Sequence, residues 1–231
     1  MKKKKYLVWA IVLIVSACSS IDNKHGVVLF DEAITKDKSV ILLPNPQKKI
    51  GKPLMQAFDL RKSTREFSTQ PISLFDLSNL LWAGLGMNRE DGKRTTPTAR
   101  NWQEIDIYFT TAYGAYFYNA SDHSITQVVK EDIRALTTYQ ESVKDAPLNF
   151  IFVANYDNVL KDEPDLDRNK LYTIAATDVG FVSQNVYLYC ASQNLATVVL
   201  GGFPTDTLAK RLGLRANQEI ILTQGIGYFK E

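Results

Sequence analysis

The feature that most restricts how this chain can fold is the stretch Leu171 to Gln193, its longest helical signal. Ala175, Ala176, Val179, Val182, Val186, Tyr187 and Cys190 give it an apolar face. Asp178, Gln184, Asn185 and Gln193 lie within it and exclude a membrane span. Such a helix has to bury its apolar face against other elements of the chain. Those elements are legible on either side. Leu54, Phe58 and Leu60 sit on a short helix ending near Arg61. Ser73-Leu74-Phe75-Asp76 reads as a capping box opening a Leu-rich helix that stops near Gly84–Gly86. Ile105 to Thr111 alternates as a strand, and Ala115 to Tyr118 pairs with it around Gly114. Ile125 to Val129, Leu148 to Ala154, Thr197 to Leu200 and Ile220 to Thr223 read as further strands, and Ile133 to Val143 and Asp206 to Leu212 as helices. Helices dominate and the strands read as antiparallel or mixed, so the class is α+β.

Composition narrows the function. A chain of 231 residues is one domain, or two small ones, and a 45% hydrophobic content supports a real core. Two cysteines exclude a disulfide-stapled fold and a multi-cysteine metal centre, and two histidines, His25 and His123, argue against a His-rich one. His123 lies in a polar loop and is expected to be solvated. A net charge of +2 gives no support for nucleic-acid binding.

The N-terminus reads as an address. Lys2 to Lys5 form a basic region, followed by an apolar run from Tyr6 to Ala17. That run is about 12 residues, within the signal-peptide range of about 7–15 and short of the roughly 20 needed to span a bilayer. It ends in Val15-Ser16-Ala17-Cys18, which resembles the lipobox of bacterial lipoproteins and implies lipidation at Cys18. The expected organisation is a signal peptide over 1–17, a tether over 18–50 and one domain over 51–231, exported and lipid-anchored to a bacterial membrane. Loss of residues 1–17 removes four lysines and no acid, so the net charge turns from +2 to −2. Cys190 remains as a buried apolar residue.

The densest polar cluster is Arg61-Lys62-Ser63-Thr64-Arg65-Glu66-Phe67. Guanidinium forks and hydroxyls suit phosphate oxygens, although a solvated charge run is the commoner meaning of such a cluster alone. The cluster resembles the R-x-S-x-R-x-F signature of the nitroreductase family of FMN enzymes. The likeness continues through Leu81-Trp82-Ala83, Asn88-Arg89, Arg94 to Asn101, Ala176 to Gly180 with Gln184-Asn185, and Val198 to Phe203. It spans about residues 53–229 and is nearest to the branch of the azoline dehydrogenases.

That resemblance implies a nitroreductase-like fold: a central, mostly antiparallel sheet flanked by helices, with the long helix at a homodimer interface. Arg61, Ser63 and Arg65 would hold the FMN phosphate and ribityl chain, and Lys62 would act mainly through its backbone. Pro97, Thr98 and Asn101 match the segment lying against the flavin ring, commonly from the partner subunit. Gly201 and Gly202 match the segment whose N–H groups face flavin N5 and O4. The implied activity is ping-pong two-electron transfer between a small-molecule donor and a nitro-, quinone- or azoline-type acceptor, with no catalytic side chain assigned and no metal. An exported binding lipoprotein that keeps the fold without redox activity is the other reading.

Overall fold

The structure is a computed structural model and describes residues 40–231. The signal peptide, Cys18 and His25 lie outside the described residues. Seven strands form one sheet in the order β1-β4-β3-β2-β5-β7-β6. They are β1 (Val40–Leu42), β2 (Ile105–Thr111), β3 (Gly114–Asn119), β4 (Ser124–Val129), β5 (Leu148–Asn155), β6 (Leu195–Leu200) and β7 (Gln218–Tyr228), and every neighbouring pair is antiparallel. The helices are α1 (Leu54–Leu60), α2 (Leu74–Leu85), α3 (Glu141–Lys144), α4 (Asp157–Asp162), α5 (Arg168–Gln193) and α6 (Thr205–Leu212).

Strand β5 shows why the sheet is covered on both faces. Phe150, Phe152 and Ala154 enter one core with Leu77, Leu80 and Leu81 of α2 and Val179, Val182, Val186 and Cys190 of α5. Ile151 and Val153 enter a second core with Leu208 and Leu212 of α6. Successive side chains alternate between faces, so a central strand buried on both sides reads as one apolar run. Helix α5 is therefore the spine of one layer. Asp167 caps its start by accepting from Lys170 N, and Asn194 ends it in the left-handed region at φ 60. The expected capping box also forms, with Ser73 Oγ accepting from Asp76 N at 3.0 Å.

Four sequence expectations change. Part of the expected tether belongs to the fold: β1 pairs with β4, and Ser78 Oγ donates to Pro44 O at 2.6 Å. His123 is half-buried rather than solvated. Its Nε2 lies 2.7 Å from Ser78 Oγ and 3.1 Å from Pro44 O, and its Nδ1 2.8 Å from the Tyr118 hydroxyl. The helix expected over Ile133 to Val143 is broken into a 3-10 turn at Arg134–Thr137 and the single turn α3, because Thr138 between them is extended. The last strand runs to Tyr228 instead of stopping at Thr223. Its glycines permit that extension. A Cβ on Gly227 would stand 2.9 Å from Pro147 and 3.0 Å from Phe67, and one on Gly225 2.8 Å from Val143.

Candidate functional site

Helix α1 ends as Arg61 turns to φ −59, ψ 120 while its N–H still reaches Ala57 O. The chain then lies along β6 and β7. Thr64 N donates to Thr197 O at 2.9 Å, and Ser68 N to Tyr228 O at 2.9 Å. This route places four candidate residues around one end of α5. The Arg61 guanidinium stands 5.3 Å over the Tyr187 ring, and Ser63 Oγ is 2.8 Å from the Tyr187 hydroxyl. That hydroxyl also accepts from Val199 N at 2.9 Å. Lys62 Nζ lies 5.1 Å over Phe229, and Arg65 Nε donates to Gln140 Oε1 at 3.0 Å. Arg61, Lys62, Tyr187, Thr197 and Phe229, with Asp59, line a cavity of about 250 Å³.

Several arginines elsewhere in the structure are held in ion pairs. Arg100 pairs with Glu163, Arg134 with Asp132, Arg168 with Glu219, Arg211 with Glu131 and Arg215 with Asp157. Among the described residues, none of Arg61, Lys62 and Arg65 has an ion-pair partner. Cations grouped with a hydroxyl and left unpaired are suited to an anion with several oxygens.

Gly201 and Gly202 follow β6 and are exposed. They are linked to Arg65 through two residues that sequence reasoning did not single out. Tyr139 N donates to Gly202 O at 3.0 Å, and its neighbour Gln140 holds Arg65. Tyr139 is 65% exposed, with its ring 3.6 Å from where a Gly202 Cβ would stand. Tyr187 was counted with the apolar face of α5, yet its hydroxyl organises Ser63. A tyrosine in such a face usually has a polar partner, and that was the available signal.

Pro97, Thr98 and Asn101 are not brought to this cavity. Ala99 N donates to Asp178 Oδ2 at 3.0 Å, which ties their segment to the other part of α5. Asp178 and Tyr187 are nine residues apart. That is roughly 14 Å along a helix and half a turn around it. The segment is strained: Arg100, Asn101 and Gln103 have φ of 48, 58 and 53. Further bonds hold it, with Gln103 N donating to Thr98 Oγ1 and Trp102 Nε1 to Asp162 Oδ2.

The Nitroreductase family pattern matches residues 60–228. The chain belongs to the nitroreductase family. A candidate nitroreductase from Methanocaldococcus jannaschii is 29% identical over 71% of this chain and 86% of its own. A crystal structure of a candidate nitroreductase from Ralstonia eutropha is 39% identical, with TM-score 0.78, covering 84% of this chain and 91% of that one. An NADPH:FMN oxidoreductase from Vibrio harveyi shares the fold at 20% identity and TM-score 0.58, over 77% of this chain and 69% of that one.

The nitroreductase match takes in the Arg61–Phe67 cluster, the Pro97–Asn101 segment and Gly201-Gly202. Beneath the Pro97–Asn101 segment lies a group of buried charges. Glu104 is 1% exposed and Asp178 4%. Burial, then the Asp178 carboxyl, pushes Glu104 up to about 8. Burial likewise pushes Asp106 up to about 6, against the pull of Arg94. The Cys190 thiol, fully buried, is pushed up by burial, as befits a core residue.

Proposed function

We propose that this chain is an FMN-dependent oxidoreductase working as a homodimer, which passes two electrons from a small-molecule donor to a nitro-, quinone- or azoline-type acceptor. The carrying observation is that Arg61 and Lys62 line a cleft, with Ser63 bonded to its Tyr187 and Arg65 four residues beyond Arg61, and none of the three cations has an ion-pair partner among the described residues. The donor set fits a phosphate monoester. When bound, the flavin supplies the redox chemistry. Arg61, Ser63 and Arg65 would hold its phosphate, and Gly201 and Gly202 would leave room for close approach of the backbone to its ring. Homodimerisation follows from the division of the site, since Pro97, Thr98 and Asn101 of one chain would complete the cleft of the other. Leu54, Met55 and Phe58 of α1 and Tyr172 and Phe181 of α5 are exposed apolar residues of the kind such an interface would cover.

The test is the absorbance of purified protein after FMN loading and desalting. A yellow protein that reduces a nitroarene or quinone with a nicotinamide or chemical donor is expected, and Arg61→Ala with Arg65→Ala should remove the flavin. A protein that stays colourless at saturating FMN refutes the reading and favours a binding role. Export and anchoring at Cys18 are proposed on Val15 to Cys18 alone. Cys18→Ser should move the protein from the membrane to the soluble fraction and abolish labelling by a fatty-acid probe.

A further inference from the structure

Glu104 carries both side-chain oxygens into the interior, and neither meets a donor. Its backbone O accepts from Asn155 N at 2.7 Å, so the end of β5 holds the residue at the start of β2. An ionised carboxylate in that position would be costly. The nearest relief is Asp178, also buried, whose Oδ2 already accepts the Ala99 N–H. Arg94 faces Asp106 and Glu104 from the loop side. It donates from Nη1 to Ile105 O at 2.9 Å, while its buried Nε has no partner.

We infer that Glu104 and Asp178 share one proton, Glu104 donating and Asp178 accepting, and that this pair positions the strained Pro97–Asn101 segment. The inference rests on the flavin reading only where that segment is taken to meet the ring. One proton leaves the pair a single negative charge, which the Arg94 guanidinium, facing both Asp106 and Glu104, offsets in part. Loss of the proton leaves a second negative charge in the same corner, which drives the carboxyls apart and loosens the Asp178–Ala99 bond. Of the other titratable groups, Tyr156 after β5, whose hydroxyl donates to Glu219 of β7, faces Glu104, and Asp106 on β2 faces Arg94. Burial together with Asp178 sets the release of the Glu104 proton at about 8. Glu104 is thus a positioning residue, acting through Asp178 on Ala99.

Trp102 reports on the segment directly, because its N–H donates to Ala99 O at 3.0 Å. In flavin-free protein, the part of the tryptophan emission lost in Trp102→Phe should titrate with a midpoint of about 8. Glu104→Gln, which keeps a donor to Asp178 but cannot ionise, should abolish that titration. FMN affinity in the wild type should weaken by about fivefold from pH 8 to 9, and in Glu104→Gln it should stay level. Should Glu104→Gln fail to fold, the infrared band of a protonated carboxylic acid in the wild type, lost with the same midpoint, serves instead. A wild type with neither the Trp102 titration nor that band overturns the pair, even if FMN binds. Titration in a protein that never binds FMN upholds the pair and overturns the flavin reading.

Discussion

Tyr187→Phe separates the two roles of one residue. The substitution keeps the ring on which Arg61 stacks at 5.3 Å and removes the hydroxyl that accepts from Val199 N and meets Ser63 Oγ. Strand β6 is the last in the sheet, so the Val199 N–H has no neighbouring strand to take it on that side. Leaving a partly buried donor unsatisfied costs about 1–3 kcal/mol. Val199 is half-buried, and water can partly replace the hydroxyl, so the lower end applies, about 1–1.5 kcal/mol. For a domain of this size that lowers Tm by roughly 2–6 °C. Ser63 also loses its tether, and a phosphate bond that must be ordered on binding loses about 1 kcal/mol, or roughly fivefold in the Kd for FMN. Thermal unfolding without flavin and a fluorescence titration with FMN measure the two effects separately. If both Tm and Kd match the wild type, Tyr187 neither seals the strand edge nor organises Ser63, and the account of the phosphate end is wrong.

Gly227→Ala brings a methyl to 2.9 Å from Pro147 and 3.0 Å from Phe67, two groups with little freedom to yield. Overpacking of this kind costs about 1–3 kcal/mol, and urea unfolding should show it. Mixing Arg65→Ala with Asn101→Ala subunits should restore flavin binding that neither has alone, because one cleft of the mixed dimer would be intact; no recovery on refolding them together counts against a shared site. Burial lowers the His123 pKa from 6.5. The native state then binds fewer protons than the unfolded chain, so stability is fully present above about 6.5 and falls as pH drops through that value and below. His123→Asn, which tolerates the φ of 52, should flatten the slope of stability between about pH 7 and 5.

How much was legible depended on whether a residue's partner was near in sequence. The α2 capping box and the β2–β3 hairpin are local, and both form where expected. So is the run of β5, whose two-sided burial leaves a continuous apolar signature. The lead-in strand β1 carried no such signature, because its three residues gain order only by pairing with β4 more than eighty residues away. His123 belongs to the same long-range contact. The glycines near the end of β7 argued against a strand locally, and only Phe67, Val143 and Pro147 packed over them give the reason they are there. At the site, the charged residues were visible as a cluster. The tyrosine that orders them was hidden, since α5 spacing places Tyr187 among core residues.

The two halves of the site differ in how their charge is balanced, and that difference gives a ligand a direction. At the Pro97–Asn101 segment the charges are closed on themselves: Arg100 is paired with Glu163, and Arg94 faces Asp106 and Glu104 in a buried corner. A further anion brought there would meet the buried carboxyls of Glu104, Asp106 and Asp178. At the other end Arg61, Lys62 and Arg65 face solvent, with Asp59 as the one acid lining the cavity. An elongated ligand with a charged and a neutral end would therefore enter phosphate first toward Arg61. Its planar end would be left toward Gly201 and Gly202, where the partner's Pro97, Thr98 and Asn101 would meet it. Charge inserted at the Pro97–Asn101 segment, as in Thr98→Asp, should then weaken binding only modestly, because the end of the ligand that meets it is neutral. The same charge at Ser63 should abolish binding outright, because it occupies the position of the ligand's own anion.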